Sequence, residues 1–199
     1  MNDEPPVIVP LSGKKFAVGS AAALSIGVVL MIVFGLAAYL LIPLFMNGRG
    51  ASLREYCMGN EHEDAVALKM YALDWDSKLP QSTTWMNMAA VYLSAGAHGT
   101  AQNPDSLHCP AAQLNYRTAR TDVYGYAFNS KRSGKTTQSI LNPEQTFLMY
   151  DSTNVHRNAT DPGTSIDFHR HLDGANLAFV DGHSHWVKQG TASNTYGHS

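Results

Sequence analysis

Charge is what this sequence has least of. Lys, Arg, Asp and Glu make up 15% of its 199 residues, against about 25% in typical soluble domains. The deficit is concentrated in one place: no residue from Phe16 to Met46 is charged. The formal net charge is -2; only Lys14 and Lys15 among the 14 basic residues, and only Asp3 and Glu4 among the 16 acidic ones, precede that stretch. The remainder is therefore close to neutral and carries no basic stripe, which excludes the electrostatic footprint of a nucleic-acid binder. Cysteine is scarce as well. Cys57 and Cys109 both follow the uncharged stretch, and in an exported domain such a pair can form one disulfide. The common catalytic signatures are missing too: there is no G-x-S-x-G, no H-E-x-x-H, no Walker loop and no G-x-G-x-x-G, so no catalytic residue is assigned. There is no internal repeat.

What is present begins with the uncharged stretch, FAVGSAAALSIGVVLMIVFGLAAYLLIPLFM. A membrane-spanning helix needs about 20 mostly apolar residues, and this run is long enough to span with some tilt. A buried core helix would carry a polar face, and this run has none. A cleaved signal peptide has an apolar region of about 7–15 residues followed by a small-x-small site, whereas this run ends in bulky Leu44 and Phe45. A retained span at 16–46 is the reading. Lys14 and Lys15 precede it and Arg49 and Arg54 follow it, so the charges alone leave its orientation open. Residues 1–15 hold three prolines and no helical period and read as a short tail. Gly19, Ala23, Gly27 and Gly35 are small residues of the kind that let helices pack in a bilayer.

Residues 47–199 read as one α+β domain. Pro43 and the Asn47-Gly48-Arg49-Gly50 run predict a kink or break after the span. Ala51 to Trp75 contains no proline, and Leu53, Cys57, Asp64, Leu68, Tyr71 and Trp75 place one stripe toward a core. Residues 74–78 are turn chemistry, and Pro80 ends the helix. Trp85 to Leu93 reads as a short helix and 94–106 as loop. Val123–Phe128 and Thr146–Asp151 read as strands, the second of them buried. Asn176–Val180 and His183–Lys188 read as two hairpin arms around Asp181-Gly182, a strong hairpin signal. The residues after Gln189 are rich in small polar types and read as loose.

The C-terminal block also carries a family signature. His171, nine residues, then Asp181-Gly182, with Arg170 before and His183, His185 and Trp186 after, resembles the H-x9-DG motif of bacterial pilin-like proteins, whose usual form is close to RH-GGAN-AF-DGH--W. Three further blocks are similar to that family in the same order. They are Cys57-x-x-Asn60 with Tyr71-Ala72-x-Asp74-x-Asp76-x-Lys78-Leu79-Pro80, then Leu107-His108-Cys109-Pro110, then Tyr124-Gly125-Tyr126 through Asn129 with Ile140, Pro143, Thr146 and Asp151. The resemblance covers residues 53–188. It implies a long N-terminal helix, half transmembrane and half amphipathic, packed on a small antiparallel sheet. It implies a single-pass protein of the bacterial inner membrane, N-terminus inside and domain outside, with a Cys57–Cys109 disulfide. The partners it implies are the lipid bilayer and further copies or other pilin-like subunits, not nucleic acid. The front of the chain departs from the family: Gly13 is not adjacent to Phe16, and Ser20 stands where the processing-site glutamate is usual. That departure points to a membrane-retained relative. Glu61, His62, Glu63 and Asp64 also depart, standing where the family is mostly apolar or basic.

One cluster invites a chemical reading. His169, His171, His183 and His185 account for four of the nine histidines, with Asp167, Asp173 and Asp181 among them. His183 and His185, two apart on a strand, share a face. With His171 and Asp181 they form a candidate divalent-metal set. The alternative is that Asp181-Gly182 makes the turn while the histidines tie loops together. The missing catalytic motifs favour a pilin-like structural or interaction subunit; the alternatives are a membrane-anchored metal-dependent enzyme using this cluster and a module binding an envelope ligand. Asn158-Ala159-Thr160 is a formal glycosylation sequon, a weak pattern.

Overall fold

The computed structural model describes residues 20–93, 99–100, 103–115 and 122–191. The expected tail at 1–15, the start of the apolar run at 16–19 and the loose end after 191 lie outside these. The chain divides into two compact units, Met1–Phe45 and Met46–Ser199.

The described part of the first unit is helical and belongs to α1, Ser20–Asp74. Its large apolar side chains, from Ile26 to Phe45, are exposed. It contains the one helix, among the described residues, that is long and apolar enough to cross a membrane, and none of that stretch is buried. The backbone stays helical through Pro43 and Gly48, so the chain is not broken into two helices there.

In the second unit α1 continues to Asp74 and ends where Asp76 and Ser77 take φ of 53° and 59°. The absence of proline and the many alanines favour this helix. Its buried face is Cys57, Asn60, Glu61, Asp64, Ala65, Leu68 and Ala72, at helical spacings of three and four. The short helix α2, Trp85–Tyr92, lies where the sequence places it. Within 94–106, read as loop, β1 (Gly99–Thr100) pairs with β2 (Asn103–Pro104); beyond it, α3 is Pro110–Asn115.

Five strands make the main sheet: β3 (Tyr126–Asn129), β4 (Phe147–Asp151), β5 (Thr160–Asp161), β6 (Gly174–Phe179) and β7 (Ser184–Lys188), in the order β5-β3-β4-β6-β7. Three pairings are antiparallel, but β3 and β5 run parallel, Phe128 opposite Thr160. The sheet is therefore mixed, a correction to the antiparallel expectation. The return loop after β4 carries the chain back alongside β3, and Asp161 Oδ1 then turns it away by accepting from the amides of Gly163, Thr164 and Ser165.

A register shift in β4 between Phe147 and Met149 sets the two faces. A bulge inserts one residue against its partner strand, so two successive side chains fall on the same side. Leu148 and Met149 thus both join the cluster that holds Leu68, Trp85, Met86, Tyr126 and Phe128. Phe147 and Tyr150 fall on the other side, with Leu177, Phe179 and Val187, where Ile166 and Phe168 pack over them. All five residues of β4 are buried, as the unbroken apolar run predicts.

Candidate functional site: the polar cluster under the C-terminal hairpin

The β6–β7 turn is built by Asp181 and Gly182. Gly182 holds φ +96°, a conformation open to glycine at no steric cost. Asp181 Oδ1 accepts from the His183 amide at 3.1 Å and pairs with His183 Nδ1 at 2.6 Å, and the His183 ring stacks on Phe179. The turn is fastened to α1. Lys69 Nζ donates to the Asp181 carbonyl, His62 Nδ1 lies 2.8 Å from the Gly182 carbonyl, and Ser184 Oγ donates to the Met58 carbonyl at 2.9 Å.

The residues at the other end of the motif are hidden. Arg170 and His171 are both 1% exposed at their side chains, and Asp151, at the end of β4, is 0%. Arg170 Nη1 donates to the Gly125 carbonyl at 2.7 Å and lies 3.5 Å from Asp151 Oδ1. Its Nη2 pairs with Asp167 at 2.9 Å and donates to the Ser152 carbonyl. His171 Nε2 sits 3.4 Å from Asp151 Oδ2 and 3.6 Å from Cys109 Sγ. Asp151 Oδ2 also accepts from the Asn176 amide at 2.8 Å. Cys109 is bonded to Cys57 with a Cα–Cα distance of 5.1 Å. Gly125 stays glycine because a Cβ there would stand 2.7 Å from Ala112 Cβ.

Two acids of α1 face this cluster. Glu61 and Asp64 are 0% exposed; among the described residues the Glu61 carboxylate has no hydrogen-bond partner, and Asp64 has only the neighbouring Ser106 hydroxyl. Burial raises the Glu61 carboxyl well above its usual range, and the Asp151 and Asp64 charges add to this while Arg170 opposes it. Asp64 is also raised well above its usual range, again by burial, with the neighbouring Ser106 hydroxyl opposing. Tyr126, whose hydroxyl donates to the Cys57 carbonyl at 3.2 Å, is raised by burial and by the acids around it. A desolvated carboxyl without donors favours its neutral form. The cluster thus sets one buried cation, Arg170, against Asp151 and Asp167, beside two further acids whose burial favours their neutral forms.

The expected metal set is not gathered. His171 lies beneath the hairpin against Asp151, Asp181 and His183 pair in the exposed turn, and His185 is exposed on β7 opposite Leu177. Among the described residues, the trio of candidate ligand atoms within 4.8 Å of one another is Cys57, Cys109 and His171. The sulfurs of that trio are joined in a disulfide, so the thiolates that a soft metal needs are not there. Asp151, Asp167, Glu61 and Asp64 are the cluster members that the sequence reading did not assign. Compared with models of protein families, with curated proteins and with solved structures, the chain gives no match.

Proposed function

We propose that the protein is a membrane-anchored, pilin-like structural or interaction subunit of the bacterial cell envelope, with its second unit outside the cytoplasmic membrane. The observation that carries this reading is the use made of the H-x9-DG residues. Asp181 and Gly182 hold the hairpin turn to α1 through Lys69 and His62, and His171 packs against Asp151 of β4 and Cys109. Asp181 also lines a groove with Lys69, Leu73 and Pro143, but its carbonyl is taken by Lys69 and its carboxylate by His183. The buried polar groups fix one arrangement of helix and sheet, which is what a scaffold that presents surfaces requires. The exposed apolar side chains of α1 from Ile26 to Phe45 suit a lipid environment, and a Cys57–Cys109 disulfide fits an oxidising compartment.

The test is the intact mass of the full chain purified from membranes, with and without reductant. The reading expects an integral membrane protein that resists extraction by alkaline carbonate and gains the mass of two hydrogens on reduction. Release by carbonate, or free thiols in the native protein, would remove it. A mass starting at Phe16 would instead make processed filament subunits the leading form.

A further inference from the structure

Cys57, Cys109 and His171 each offer one ligand atom, and the three atoms lie within 4.8 Å of one another. All three residues are buried. The two sulfurs are bonded to each other. Reduction of that bond would change the chemistry of the trio without dismantling it, because each member is held by contacts that do not pass through the sulfurs.

Cys57 sits within α1, and its carbonyl accepts from the Tyr126 hydroxyl at 3.2 Å. The Cys109 amide donates to the Tyr124 carbonyl at 2.7 Å. The residue before it, His108, offers its carbonyl to Asn60 Nδ2 at 2.9 Å, so the loop bearing Cys109 stays tied to α1. The His171 carbonyl accepts from Trp186 Nε1 at 2.8 Å. His171 Nε2 faces Cys109 Sγ at 3.6 Å, and its Nδ1 has no hydrogen-bond partner among the described residues.

Two thiolates and an imidazole are the ligands of a borderline-soft ion, and hard cations such as calcium or magnesium prefer oxygen. Zinc holds sulfur at about 2.3 Å and nitrogen at about 2.0 Å in a tetrahedron, which sets neighbouring ligand atoms roughly 3.5–3.8 Å apart. The spacing of His171 Nε2 from Cys109 Sγ already fits, and only the two sulfurs must part. Asp151 Oδ2, 3.4 Å from the same nitrogen, adds negative charge beside the site, while Arg170 at 3.5 Å from its other oxygen offsets part of it. With three protein ligands the site is of the kind that leaves its fourth position to water.

We propose that in the reduced chain Cys57, Cys109 and His171 bind one zinc ion, so that metal and disulfide are alternative locks at the same place. A dithiol that reduces the bond gives up two electrons and two protons and becomes a disulfide itself, leaving two cysteine thiols. Zinc then displaces both thiol protons into solvent, and the ring proton of His171 rests on Nδ1. Oxidation of the two thiolates back to the disulfide expels the ion. The proposal goes beyond the scaffold reading and does not depend on the membrane span.

The experiment uses the full chain in detergent, reduced by a phosphine without oxygen and then freed of reductant, with cobalt(II) as the coloured substitute for zinc. The expected result is one cobalt per chain, with a thiolate charge-transfer band and tetrahedral d–d bands that one equivalent of zinc abolishes. Zinc should also raise the urea midpoint of the reduced chain, and the oxidised chain should give no bands. His171→Ala should weaken cobalt binding at least about tenfold, since losing even an outer partner of a ligand costs that much. His185→Ala, an exposed histidine outside the trio, should change nothing. Free thiols with no bands in a chain of native circular dichroism would overturn the proposal, and so would bands whose affinity His171→Ala leaves unaltered. It also falls if the reduced chain unfolds and zinc does not restore it.

Discussion

Arg170 and Asp151 meet at 3.5 Å with side chains 1% and 0% exposed, a cation and an acid sealed together behind the sheet. Breaking such a pair from one side leaves a charge without water or partner, which costs about 3–5 kcal/mol. Asp151→Ala and Arg170→Met are each expected to lower stability by that order, measured by urea unfolding in detergent. The double variant should cost less than the sum, since each single variant strands the other charge. Additive losses would show that the two residues act separately.

Cys57 and Cys109, 52 positions apart, close a loop that should stabilise the fold by about 4 kcal/mol on the chain-entropy account. Reductant is expected to move the urea midpoint down accordingly. An unchanged midpoint after the thiols are shown to be free would contradict this.

Glu61 and Asp64 give the fold a pH dependence of definite sign. Both carboxyls are raised well above their usual range, by burial first, while in the unfolded chain they ionise near 4. Between those limits the native state holds protons that the unfolded state has released, so stability falls as pH rises. It is fully present below the unfolded value and lost as pH climbs toward the folded one. The groups facing Glu61 are Asp151, Asp64 and Arg170, and Tyr126 lies on the sheet side. Thermal unfolding should give a higher Tm at pH 5 than at pH 8. The Glu61→Gln/Asp64→Asn variant should flatten that slope, and an unaltered slope would assign the effect elsewhere.

Gly174 lies under the Trp186 ring, where a Cβ would come within 2.3 Å of the indole. Gly174→Ala must displace Trp186 or bend β6, and overpacking of this kind costs about 1–3 kcal/mol. Loss of the Trp186 Nε1 bond to His171 should accompany it, visible as a shifted indole N–H resonance. A variant of native stability with an unshifted resonance would show that the ring has room.

The parts of this fold that could be read in advance are those dictated by local chemistry. Asp181-Gly182 announces its turn because the backbone there demands φ > 0, and the apolar run from Phe147 announces a buried strand. The bulge at Leu148 was hidden by that same run, because a strand apolar on both faces has no alternation to break. The two-residue β5 has no signal of its own, since its pairing with β3 is fixed by the loop around Asp161. Spacing placed Cys57, Asp64 and Leu68 on one core-facing stripe, and Asp64 is buried there, but Glu61, four residues after Cys57 and equally buried, was read only as a departure from the family. His171, His183 and His185 look alike in sequence. Only the tertiary path reveals that the first goes under the hairpin while the others stay in the turn and on the exposed strand.

The fastenings between α1 and the sheet are not evenly distributed, and this has a mechanical consequence. Followed from Met46, a pull on the helix meets the Asn176 bond to the Arg54 carbonyl, then the Cys57–Cys109 bond, and only afterwards the ties at Met58, His62 and Lys69. The covalent link bears the load before the hydrogen-bonded turn does, so oxidised protein should resist forced extension and reduced protein should unzip. In a body tethered at one end, the redox state of a single bond would then set how much tension the tether can transmit.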